Sequence, residues 1–178
     1  MNRQQRRAAD RRRSAGNPRS IDPMAAWAVQ QIAMLKTDQG DVPEDEKSLA
    51  LIPTYQCLNK LQYGNMDKGD FLHLCEWNGV AGEIAFRLQD QDASGQITAA
   101  GFACLDAAEA LFSIGSRFEK TNKWIATGDE LGKIRTSVQY LSELLNIAPR
   151  GTVITAMDSI RRHMIKQGVG FSRTEGVR

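Results

Sequence analysis

Arginine carries the most concentrated chemistry in this chain. Residues 1–20 hold Arg3, Arg6, Arg7, Arg11, Arg12, Arg13 and Arg19 against one acid, Asp10, a net charge of +6, while the remaining residues sum to −4. A guanidinium offers a planar fork of donors that matches phosphate oxygens, and release of counterions from a polyanion drives association. No aromatic side chain is interleaved with these arginines. Stacking on bases is therefore not available to the segment, and any contact with nucleic acid would be tolerant of sequence. An acidic protein surface would satisfy the same charges.

Catalytic chemistry has much less to rest on. The only histidines, His73 and His163, are 90 residues apart in the chain. No glycine-rich phosphate loop, paired metal-binding histidines on one helix, or Gly-x-Ser-x-Gly elbow occurs. Cys57, Cys75 and Cys104 are odd in number, widely spaced and set among apolar neighbours, which reads as buried reduced thiols rather than a disulfide framework. A Cys75–His163 pair assembled by folding is the one nucleophilic arrangement these residues permit. The expectation is a chain with no catalytic residues, no cofactor and no metal.

Three short stretches resemble known patterns. Residues 1–8, from Met1 to Ala8, resemble the start of many short phage- and plasmid-borne proteins, which implies an accessory protein of a mobile genetic element. The stretch Leu141–Met157, within residues of about 131–166, looks like the helix-turn-helix of bacterial repressors. Leu145, Ile147 and Val153 would form its small core, and its second helix would offer Arg150, Thr152, Thr155, Ser159 and Arg162 to a major groove. The turn is one residue longer than that pattern and the first helix several turns longer. Asp90-Gln91-Asp92-Ala93-Ser94-Gly95-Gln96-Ile97-Thr98 looks like the first two-thirds of an EF-hand calcium loop. Its twelfth position is Gly101, where the bidentate glutamate would sit. An Asx-type turn capping the next helix is the simpler reading of the same residues.

Helices must position all of this. Residues 1–20 lack large apolar side chains and are expected to stay loose as an arm, and residues 168–178 to fray as a tail. Between them, residues 21–167 predict one all-α bundle of five to six helices. Asp22 and Pro23 open a helix that carries Met24, Trp27, Ile32 and Leu35, with Gly40 past its end. An acidic loop at 41–45 precedes a second helix with Leu51, Tyr55, Leu58 and Leu61 on one face. Pro53 kinks it or marks its start, and Gly64 closes it. A third helix from Lys68 to Leu88, capped by Asp67 or Asp70, is apolar nearly all round and so should be central, and Gly79, Ala81 and Gly82 would admit a neighbour closely. A fourth, from about Ala99 to Lys120, carries Phe102, Leu105, Leu111, Phe112, Ile114 and Phe118. Thr127 and Glu130 form a capping box for a fifth, with Leu131, Ile134, Val138, Leu141 and Leu145 in register; Pro149 and Gly151 end it. Val153, Met157, Ile160 and Met164 mark a sixth.

No run of apolar residues reads as a membrane span and no apolar leader follows the arginines, so a cytoplasmic protein is expected. The function these features favour is non-enzymatic. The helical body would contact a protein partner that the sequence does not identify, through an apolar face for which Trp77, Trp124 and Tyr63 are candidate anchors, ordinary partial burial in the bundle being the other reading of the same three residues. The basic arm would hold nucleic acid or an acidic surface. A homodimer fits the heptad and the glycine faces. The alternative is a DNA-binding regulator using residues of about 131–166.

Overall fold

The computed structural model describes residues 31–167. The arginine arm and the tail lie outside them. The chain divides into two units between Leu35 and Lys36. Of the first, residues 31–35 are helical. The second contains α1 (Glu44–Tyr63), α2 (Lys68–Leu88), α3 (Gln96–Thr121), α4 (Gly128–Ile147) and α5 (Arg150–Lys166), with a 3-10 turn at Gln89–Gln91. These helices form the expected all-α bundle. Among the described residues the β structure is limited to an isolated bridge between Asp41 and Pro149.

Local chemistry sets most helix ends. Asp67 accepts the Asp70 N–H at 2.8 Å while the Asp70 carboxylate accepts the Asp67 N–H at 3.0 Å, a reciprocal box that opens α2. Thr127 and Glu130 do the same for α4, each pair satisfying donors that the first turn leaves free. Gly64 ends α1 with φ +70°, a left-handed conformation that glycine adopts without Cβ strain.

Two boundaries differ from the sequence expectation. The helix begins at Glu44 and runs through Pro53, because Glu44, Asp45 and Glu46 all lie in the first turn, where negative charge favours the helix dipole. The acidic stretch expected as loop is therefore partly helix. The buried face of α1 is also rotated: Ala50, Thr54, Cys57, Leu58 and Leu61 point inward, and Tyr55 is exposed. At the far end, Gly151 does not terminate α4 but lies in the first turn of α5.

Helix α2 packs against α1, α3, α4 and α5, the central position that its all-round apolar surface predicts. Its glycines allow that crowding. A methyl added at Gly79 would lie 3.2 Å from Ile160 of α5, and one at Gly82 3.5 Å from Cβ of Cys104 on α3. One apolar cluster gathers Leu58, Leu74, Leu111, Ile114, Ile134 and Val138, and the other Val80, Ile84, Cys104, Leu141, Leu145 and Ala156. Trp124 is stacked between Phe118, at 3.8 Å between ring centroids, and Phe71, at 4.5 Å, which pins the α3–α4 connection to the bundle.

Candidate functional site

The cysteines and histidines do not assemble a nucleophile. Burial pushes the thiols of Cys57 and Cys75 up to about 12, and that of Cys104 upward. His163 is exposed, and desolvation alone accounts for the shift at Cys75. His73 Nε2 lies 3.1 Å from the buried Thr54 hydroxyl, but that hydroxyl donates to Ala50 O at 2.7 Å. Thr54 is left as acceptor and the ring as donor, the opposite of the polarity that base activation of a hydroxyl requires. Burial lowers the His73 pKa against the charges of Glu76 and Asp70, favouring the neutral ring.

The helix-turn-helix residues are placed as follows. Arg150 donates through Nε and Nη2 to Glu46, at 2.7–3.2 Å, and through Nη1 to Asp38 at 3.4 Å. The backbone N–H groups of Arg150 and Gly151 donate to Gly40 O and Asp38 O, both at 2.8 Å. A segment from Lys36 to Asp41 therefore covers the start of α5, the end that would read bases. Thr155 donates to Gly151 O, Thr152 is half-buried, and Arg162 is exposed beside Asp158. Arg3, Arg6, Arg7, Arg11, Arg12 and Arg13 lie outside the described residues.

The loop at 90–98 acts as a cap. Asp92 accepts the Thr98 N–H at 2.7 Å and the Ser94 hydroxyl at 3.2 Å, while Gly95 takes φ +77°. The bond from Thr98, chiefly, holds the Asp92 carboxyl down at about 2. A depressed pKa contributes stability that is present above the ordinary value of 3.8 and lost as pH falls toward about 2. Asp92→Ala is therefore expected to lower the melting temperature at neutral pH, by an amount that shrinks as the pH is taken from about 4 to about 2; melting curves across that range check it. Among the described residues no three of His, Cys, Asp and Glu gather as a metal site.

What remains exposed and organised is apolar. Helix α3 turns small residues inward: Ala100, Cys104, Ala107 and Ala110, with Leu111 and Ile114. Larger ones stay outside, with Phe102 65%, Leu105 63% and Phe112 77% exposed, and Phe86 on α2 66% exposed. A scattered exposed leucine means little, whereas a contiguous patch of aromatic rings does. Phe86, Phe102 and Leu105 border an open groove of about 410 Å³ between α2 and α3, floored by Gly79, Gly82, Ala85 and Gly101. Asn78 holds this floor rigid, because its Nδ2 donates to Cys104 O at 3.1 Å and its Oδ1 accepts the Ser137 hydroxyl at 2.6 Å, tying α2 to α3 and α4. A groove fixed in this way needs little further ordering on binding.

Two expectations are corrected here. Trp77 and Trp124, read as surface anchors, are 8% and 9% exposed and belong to the core; of the three, only Tyr63 is exposed. Helix α3 is, by length and composition, apolar enough to cross a membrane, although no such run was read from the sequence. Phe86, Phe102, Leu105 and Phe112 were read as helix residues without a surface role. The signal was present: the small inward set of α3 already completes one face at three-four spacing, leaving the large residues on another. No family model, curated protein or solved structure matches the chain.

Proposed function

We propose that this is a non-catalytic binding protein whose helical body docks a protein partner in the α2–α3 groove, while the arginine arm attaches to nucleic acid or another polyanion. The observation that carries the proposal is the exposed set of Phe86, Phe102 and Leu105 around the groove floor, with Phe112 exposed two turns beyond Leu105 on α3. Exposed aromatic and aliphatic anchors beside a preformed concavity are what energetically dominant contacts use. The +6 arm supplies long-range attraction without adding to specificity. The resemblance of its first residues to phage- and plasmid-borne starts supports placing the protein among mobile-element accessory factors.

Pull-down from the native host after nuclease treatment tests the division of labour. Leu105→Gln with Phe112→Gln should remain folded, since exposed substitutions by a good helix former cost within about 0.5 kcal/mol each. The double variant should lose the specific partner by about 30-fold or more, as expected when two anchors of roughly 1–2 kcal/mol are removed. Deletion of residues 1–20 should leave that contact intact and abolish the steep salt dependence of duplex binding. Partner capture unaffected by the groove variant would refute the proposal.

A further inference from the structure

No residue lining the α2–α3 groove carries a charge among those described. The nearest acids of α3 lie off it. Asp106 lines a separate hollow on the α4 side together with Lys133, and Lys133 also feels Glu109. Charge therefore selects no occupant for the groove, and the sizes of the side chains around it have to.

The exposed row of α3 alternates small and large about Leu105. Phe102 lies three residues before it and Ala108 three after, Thr98 lies seven before and Phe112 seven after, and all five are exposed. Seven residues make about two helical turns, so Thr98, Leu105 and Phe112 share one line along the helix. A second α3 laid antiparallel, with Leu105 against Leu105, sets each Phe102 level with the partner's Ala108 and each Phe112 level with the partner's Thr98. Each ring then meets a small residue, which is what close packing asks, and each such contact occurs twice, as an isologous interface requires. Helix α2 runs antiparallel to α3, with Gly82 against Cys104 and Ala85 against Gly101. The same twofold axis therefore carries each Phe86 toward the Gly79 end of the partner's groove floor.

The area agrees with this. Phe86, Phe102, Leu105 and Phe112 are 63–77% exposed. Aromatic side chains present roughly 150–250 Å² each, so these four leave on the order of 500 Å² of apolar surface in water on each copy. A stable interface takes roughly 600–1,000 Å² from each side. The exposed Thr98, Ala108 and Gln89 and the glycine floor among them bring the face into that range.

Resting on the docking function proposed for this groove, we infer that its occupant is a second copy of this chain, paired about a twofold axis with α3 antiparallel to α3 and Leu105 against Leu105.

Sedimentation velocity of the full chain tests this, at about 10–100 μM, after nuclease treatment and at about 300 mM salt to keep the arm off polyanions. The expected result is a particle of twice the chain mass. Leu105→Gln with Phe112→Gln should keep the helical circular-dichroism spectrum and weaken the pairing by about 100-fold or more, because the twofold axis counts each anchor twice. A cross-link reads the geometry independently of that variant. Under mild oxidation Leu105→Cys should run as a covalent pair, while the wild type and Glu119→Cys should not, since two Glu119 positions would stand about 40 Å apart in the pair. A monomer at the highest concentration would overturn the second-copy inference and leave docking of a different protein standing. So would a dimer that the double variant leaves intact, or one that links through Glu119→Cys and not through Leu105→Cys. A double variant that changes neither the mass nor capture from the host would overturn both.

Discussion

Gly151→Val lowers stability by about 3 kcal/mol or more, which for a chain of this size shifts the melting temperature by roughly 6–12 °C. Gly151 is buried in the first turn of α5, and a Cβ there would lie 2.7 Å from the backbone oxygen of Asp38 and closer still to that of Lys36. Both obstacles are main chain, so no side chain can rotate out of the way. The covering segment would have to lift. Lifting it breaks the N–H bonds from Gly151 to Asp38 O and from Arg150 to Gly40 O, and it strains the Arg150 contacts with Asp38 and Glu46. Each lost backbone bond costs about 1 kcal/mol net, and more where the freed groups stay buried. Gly132, exposed within α4 with open space around its Cα, provides the contrast. Gly132→Ala should raise stability by about 0.5–1 kcal/mol through helix propensity alone. Thermal melts of the two variants should therefore move in opposite directions. Equal tolerance of both would mean that the segment does not dock on α5.

Arg161→Met carries the second large effect. Glu76 of α2 is 5% exposed and faces α5, where Arg161 Nε donates to Oε1 at 2.8 Å. The arginine itself is about half exposed, so it loses little solvation by folding, whereas the carboxylate depends on it. Methionine keeps the apolar stem of the arginine and removes the charge. A buried carboxylate without its partner destabilises by about 2–4 kcal/mol. Adding Glu76→Gln should recover most of that loss, because an amide costs much less than a charge when its ionic partner is missing. The double-mutant cycle is the measurement. Additive losses would show that the two side chains are energetically independent despite their contact.

Neither effect is visible before folding, because Gly151 meets the backbone of Lys36 and Asp38, and Arg161 meets Glu76, only across distant parts of the chain. The Asp67/Asp70 and Thr127/Glu130 boxes were legible because both partners lie within one helical turn and the donors they satisfy are their own. The central place of α2 was legible too, since a helix apolar all round has nowhere else to go. The register of α1 was not. Leu51, Tyr55, Leu58 and Leu61 form a plausible stripe, and the bundle buries Leu58 and Leu61, but it adds Ala50, Thr54 and Cys57 and leaves Tyr55 exposed. The choice between adjacent faces is made by the neighbours α2 and α4 rather than by α1 itself. The buried charge of Glu76 was equally invisible, since its partner lies 85 positions along the chain.

The candidate site follows the same division. Helix α3 has two faces able to be buried, one of alanine and cysteine and one of phenylalanine and leucine. Size alone favours the second as core. The structure buries the first, because Gly82 and Gly101 let α2 and α3 approach until only small side chains fit between them. The larger residues are displaced to the rim, and with Phe86 they create the groove. Sequence by itself determined the helical class, the caps and the segregation of positive charge into residues 1–20, all of which depend on interactions spanning a few residues or on composition. Tertiary structure alone decided which apolar stripe stays in water and which carboxylates hold Arg150 and Arg161, because each depends on helix faces brought together from distant parts of the chain.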